Sequence, residues 1–199
     1  MQACRLVASD LACRRGDRVL FAGLAFGLEG GTALHLAGPN GIGKTSLIRI
    51  LAGLLPPFAG RVERAGALAL ADERPALDSQ LPLARALRFW ARLDRSGEAA
   101  LAAAMAALGV AELGDVPVRY LSTGQRKRAV LARVIAGTAP LWLLDEPLNG
   151  LDAASAAAVE LLVAQHCAQG GIAVIASHQP FRLSALVRLE LEQFAPEPA

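Results

Sequence analysis

Apolar and polar positions follow one another in this chain in an order that can be read element by element. Between Cys4 and Leu28 two strand-like stretches flank the turn RRGD at residues 14–17, which predicts an antiparallel hairpin. TALHLA, residues 32–37, is a short continuous apolar run and reads as a buried strand. It leads into the glycine-rich GPNGIGK. TSLIRILAGLL then carries apolar residues at helical spacing until Pro56 and Pro57 stop it. A brief strand, ALALA, follows at 67–71. From Pro82 to about Gly109 the pattern is helical and alanine-rich, and beyond a loop holding Pro117 a second helical stretch runs from about Gly124 to Ala136. LWLL at 141–144 and IAVIAS at 172–177 read as strands on either side of a helix at Ala153–Ala168. Little chain follows IAVIAS, so it is expected to be the final strand, with FAPEPA a frayed tail. This alternation predicts an α/β fold: a mostly parallel sheet covered by helices, antiparallel strands at the N-terminus and a helical insertion in the middle.

Composition narrows the picture. Hydrophobic residues make up 54% of the 199, which excludes disorder and allows a large core. A net charge of +2 with no long block of one sign weighs against a nucleic-acid surface. Cys4, Cys13 and Cys167 form no C-x-x-C pair and are expected to be free thiols in a reducing compartment. His35, His166 and His178 are too dispersed to mark a zinc site by spacing. MQACRLVASD lacks the basic and apolar segments of a signal peptide, and the longest apolar run, Ala99 to Ala111, is too short to span a bilayer. A soluble cytoplasmic protein is expected, free to dock on a membrane protein.

GPNGIGKTS, residues 38–46, fits G-x-x-x-x-G-K-[ST]. Its glycines let the backbone curl so that N–H groups point at phosphate oxygens, and the helix behind it offers a positive N-terminus. Gly38, Pro39, Asn40, Gly41, Ile42, Gly43, Lys44, Thr45 and Ser46 are therefore candidate phosphate ligands, with Lys44 on the terminal phosphates and the Thr45 hydroxyl on magnesium. LWLLDEP supplies the matching acids. A carboxylate at a strand tip suits Mg2+, which assigns Asp145 to the metal, and Glu146 is then placed to polarise the water that attacks the terminal phosphate.

Two further phrases complete an ordered set: LSTGQRKR at 121–128, ahead of LWLLDEP, and the pair Ser177–His178 at the end of the last predicted strand. With the phosphate loop, this order resembles the ATP-binding subunits of ABC transporters over nearly the whole chain. The resemblance implies a P-loop NTPase of ABC type, with a RecA-like core at 1–78 and 120–199 and a helical subdomain at about 79–119. It also implies ATP and Mg2+ as cofactors, a homodimer that sandwiches two ATP, and integral membrane permease subunits as partners. Ser122 and Gly124 would meet the phosphate bound by the opposite protomer, His178 would contact the terminal phosphate, and Asp152 of NGLD would lie on the dimer interface. Read as residues alone, Ser122 and Asp152 are also helix caps and His178 a loop histidine.

Two positions depart from the family pattern. A glutamine usual in the loop after ALALA is replaced by Glu73, which reads either as a magnesium ligand or as a surface acid just outside the shell. The aromatic ring usual before the hairpin glycine is replaced by Arg15, which reads either as a plane stacked on adenine or as an exposed turn residue. The short length, LWLLDEP, SHQP and PVRYLSTGQRKR look most like the ATP-binding subunit of the haem exporter of cytochrome c maturation. A peripheral place on the cytoplasmic face of the inner membrane follows from that resemblance, with no haem site in this chain and no nucleic acid. The helix around Phe89 and Trp90 is expected to receive the membrane partner. An exporter of lipid, drug or peptide is the alternative, and a soluble ABC protein acting on the ribosome or DNA is a third reading.

Overall fold

A computed structural model describes residues 4–184 and 186–196, so residues 1–3 and the last three of the FAPEPA tail lie outside it. The hairpin forms as expected: β1 (Arg5–Arg15) and β2 (Arg18–Glu29) pair antiparallel around the turn at Gly16 and Asp17. A third strand, β4 (Ala59–Ala65), joins the far edge of β1 and was not foreseen. Its sequence AGRVERA is exposed at all but one position, so no apolar alternation announced it.

Among the described residues the second sheet has five strands, all parallel, in the order β5 (Leu68–Ala71), β6 (Leu141–Asp145), β7 (Ile172–Ala176), β3 (Ala33–Ala37), β8 (Leu186–Glu190). β7 is therefore not the last strand. β8 runs beside β3 and a 3-10 turn at Leu191–Phe194 follows it. Its LVRLE pattern is only half buried, as suits a sheet edge, and its charges mask it in the sequence.

β3, β6 and β7 are buried at every position, the reason they read as unbroken apolar runs. Alternate residues still serve opposite faces. Leu141, Leu143, Ile172 and Val174 join one core with β1, β2 and α1 (Lys44–Ala52). Trp142, Leu144, Ala173 and Ile175 join a second core with α2 (Leu83–Leu93), α3 (Glu98–Ala107), α4 (Thr123–Ala136) and α5 (Ala153–Ala168). The sheet is thus one wall of two cores. Trp142 also stacks on His166 at 3.7 Å between ring centres, a packing role for a tryptophan first noticed as a resemblance.

Helix ends follow local chemistry. α1 stops at Ala52, before the prolines, because Gly53 takes a left-handed conformation and its N–H caps Arg49 and Ile50. The alanine-rich run from Pro82 is two helices, since Arg95 has a positive φ and Ser96 turns back to bond the Ala91 carbonyl through N–H and Oγ. This insertion closes on itself at its base, where the Leu83 and Val118 N–H groups donate to Val116 and Leu81. No helix among the described residues is long and apolar enough to cross a membrane.

The β1–β4 pairing depends on one tight approach. Gly60 has φ +81°, and a Cβ there would stand 2.2 Å from the Asp10 carbonyl oxygen and 2.4 Å from that of Ser9. Gly60→Ala is expected to destabilise the protein by about 2 kcal/mol or more, read as a lower urea midpoint.

Candidate active site

Three strand ends meet at the C-terminal edge of the parallel sheet, the edge where α/β folds bind ligands. β3 delivers the loop 38–43, β6 delivers Asp145 and Glu146, and β7 delivers Ser177 and His178. Between them opens a cleft of about 340 Å³ lined by Leu20, Asn40, Gly41, Gly43, Lys44, Thr45, Ser46, Glu73, Glu146, Asn149 and His178.

Gly43 caps α1 with φ +116°, and no side chain caps that end, so the first-turn N–H groups of the helix face outward toward an anion. Lys44 is 6% exposed; its Nζ donates to the carbonyls of Gly38 at 2.7 Å and Pro39 at 3.1 Å and stands 3.6 Å from Glu146 Oε1. The cation therefore braces the loop and faces the acid across the cleft.

Glu146 takes a positive φ of 47° just past β6, and its N–H donates to the Ala176 carbonyl. Its carboxylate is gripped by His178 twice, with the backbone N–H donating to Oε1 at 3.2 Å and Nδ1–H to Oε2 at 2.9 Å. The paired acid Asp145 is 1% exposed, and among the described residues neither of its carboxylate oxygens has a hydrogen-bond partner. Burial pushes its pKa up; the Thr45 hydroxyl is near enough to oppose this without completing a bond, Glu146 and Glu73 add to the rise, and Lys127 opposes it.

Two orphaned anionic oxygens beside a hydroxyl are the donor set of a hard divalent cation that keeps part of its shell for water and phosphate. Asp145 and Thr45 therefore fit Mg2+. Among the described residues no three His, Cys, Asp or Glu side chains form a metal cage of their own. Glu73 is exposed at the rim of the cleft, and Asp72 beside it faces Arg49 at 3.8 Å.

Ser122 and Asp152 do not line this cleft. Ser122 caps α4 in a full capping box with Gln125, and Asp152 caps α5 by accepting the Ser155 N–H, which holds its carboxyl below the usual range. The two loops touch, because a Cβ on Gly124 would lie 2.9 Å from the Gly150 carbonyl. Arg15 is exposed at the hairpin turn and outside the lining, whereas Leu20 of β2 reaches the cleft.

Leu20 and Lys127 went unassigned in the sequence, and Asn149, the first residue of NGLD, lines the cleft. Lys127 bonds the Asp145 carbonyl at 3.1 Å from beneath, and burial lowers its pKa against the pull of four acids led by Asp145. Five residues from Ser122 on a helix, it sits among the basic residues RKR, each of which ties down a different carbonyl: Arg126 to Leu121, Lys127 to Asp145, Arg128 to Leu108.

The chain is similar to known proteins in sequence and in fold. The profile of the ABC transporter family matches residues 21–149. A "Cytochrome c biogenesis ATP-binding export protein CcmA" of Novosphingobium aromaticivorans is 61% identical over 98% of this chain and the whole of its own length. The protein of the same description from Zymomonas mobilis is 50% identical over 96% of this chain and 86% of its own. An ABC transporter ATP-binding protein from Pyrococcus furiosus superposes with a TM-score of 0.83 at 23% identity, over 96% of this chain and all of that one, which shows the fold.

Gly43→Ala would force a side chain into that φ of +116° and set its Cβ 3.2 Å from the Phe21 ring. Titration calorimetry should find ATP binding weakened by about tenfold or more, from a strain of about 1–3 kcal/mol.

Proposed function

The chain belongs to the ABC transporter family of ATP-binding proteins, and from that premise we infer that it is the ATP-hydrolysing subunit of an exporter that serves cytochrome c biogenesis, with haem as the cargo. The observation that carries hydrolysis is the posture of Glu146, a carboxylate held by His178 on one side and Lys44 on the other, in the cleft that the phosphate loop lines. The likeness to the export proteins supports the cargo.

In this reading the loop N–H groups and Lys44 bind the β- and γ-phosphates, while Leu20 and, from the turn, Arg15 offer surfaces for the adenine. Thr45 and Asp145 would hold Mg2+, with Glu73 as a further acid at the rim of the cleft. Bound there, the ion supplies charge neutralisation on the phosphate oxygens. Glu146 takes the proton of a water whose oxygen bonds the terminal phosphorus as the bond to ADP breaks. His178 keeps the carboxylate turned toward that water. Ser122, Gly124 and Asp152 lie on a surface of their own and act on the ATP of a second copy, in a homodimer whose helical part, residues 79–119, docks on membrane permease subunits. Phe89 and Leu93, exposed on α2 among Arg85, Arg88 and Arg92, supply an apolar and basic face for that docking.

Glu146→Gln should still bind ATP but lose about a hundredfold or more in turnover, and with ATP it should elute as a dimer by light scattering. Near-normal hydrolysis would remove Glu146 from its role; a strictly monomeric species would remove the two-chain site. Tagged protein purified from its native membrane should bring haem-export membrane subunits with it, and a permease of another kind would reassign the cargo.

A further inference from the structure

His35 lies in the middle of β3, 3% exposed, and the reaction described above does not use it. Its Nε2 stands 3.1 Å from the Ser177 carbonyl oxygen. A carbonyl only accepts, so Nε2 carries the proton. Burial holds the imidazole pKa below its ordinary value; Arg188 of β8 acts in the same direction, and the Ser177 bond, Glu190 and Glu146 oppose it. The ring is a neutral donor at neutral pH.

Ser177 and His178 share one peptide plane. Its oxygen meets His35, and its N–H, on the opposite side as a trans peptide requires, donates to Glu146 Oε1 at 3.2 Å. The plane follows directly on β7, which lies between β3 and β6, so His35 and Glu146 hold it from the two flanking strands. The Ser177 N–H, donating to Leu36 at 3.3 Å, pins the same turn. Glu146 thus has an anchor that runs through a peptide to a buried side chain on the phosphate-loop strand, two residues before Ala37.

The geometry points to His35 as a positioning residue for ATP hydrolysis: it fixes the Ser177–His178 peptide so that the N–H and Nδ1–H of His178 both meet the Glu146 carboxylate. This rests on the assignment of Glu146 as the base. If His35 were only core packing, an apolar side chain of similar size would serve as well. The placement of a base is a matter of fractions of an ångström, and a shift of about 1 Å far from the reacting atoms can cost about a hundredfold.

The test uses the full chain with His35→Leu, His35→Asn and His35→Gln beside Glu146→Gln, with turnover counted per ATP-binding site so that unfolded material drops out. His35→Leu and His35→Asn should lose about tenfold or more in kcat while ATP affinity stays within about threefold. His35→Gln, whose amide donor reaches about as far as Nε2, should recover most of the rate. Should His35→Leu fail to fold, the Asn and Gln pair still decides, since both are polar and only one reaches Ser177. Full turnover in Leu or Asn, or equal loss in Gln and Asn, overturns the inference. An inactive Glu146→Gln alongside a fully active His35→Leu overturns the positioning role alone; an active Glu146→Gln overturns the base and the positioning role together.

Discussion

The structure turns on one buried carboxylate. Asp145 sits at the end of a strand, 1% exposed, with no hydrogen-bond partner for either oxygen among the described residues, a placement that costs several kcal/mol unless a positive group arrives. Its surroundings are arranged around that debt. Lys127 comes from below but spends its ammonium on the Asp145 carbonyl, and Thr45 comes near from across the cleft without closing a bond. In the proposed function that positive group is Mg2+, which Asp145 and Thr45 would hold beside a phosphate bound by the loop N–H groups.

The strand order makes this possible. β3, β6 and β7 are far apart in the chain yet adjacent in the sheet, so groups separated by more than a hundred residues end within a few ångströms of one another. Each strand is clamped on both faces by a different core, which leaves its end little freedom. Rigidity of that kind lets Glu146 hold a positive φ with its carboxylate bonded to His178.

Much of this was legible in the residues because buried parallel strands are short apolar runs and phosphate loops need glycine at set places. LWLL, IAVIAS, TALHLA and the loop 38–46 were readable on those grounds. β4 and β8 were not, because edge strands mix charges with small residues and lose the alternation that marks a half-buried strand. The break between α2 and α3 falls at DRSG, residues 94–97, a short turn between two alanine-rich stretches of the same helical pattern, where Arg95 takes a positive φ and Ser96 bonds back to Ala91. Leu20 and His35 reach their places only through tertiary neighbours: one lies on a strand of the other sheet, the other is ordinary in its own strand until Ser177 lies beside it.

Ser122, Gly124 and Asp152 pose a different question, since their order in the chain speaks for the nucleotide while their positions lie away from its cleft. Two readings are compatible. As caps, Ser122 and Asp152 start α4 and α5, and the capping box uses one first-turn N–H of α4 and leaves others free. As ligands, they would need an anion brought to them, and the same chain's phosphate loop points elsewhere. In the proposed homodimer a second copy, turned so that its loop faces the Ser122 end of α4, would meet both demands at once: the first-turn N–H groups would gain an anion, and each phosphate a second helix N-terminus. The close contact of Gly124 with Gly150 ties the two loops into one surface, so a partner that engages one engages the other.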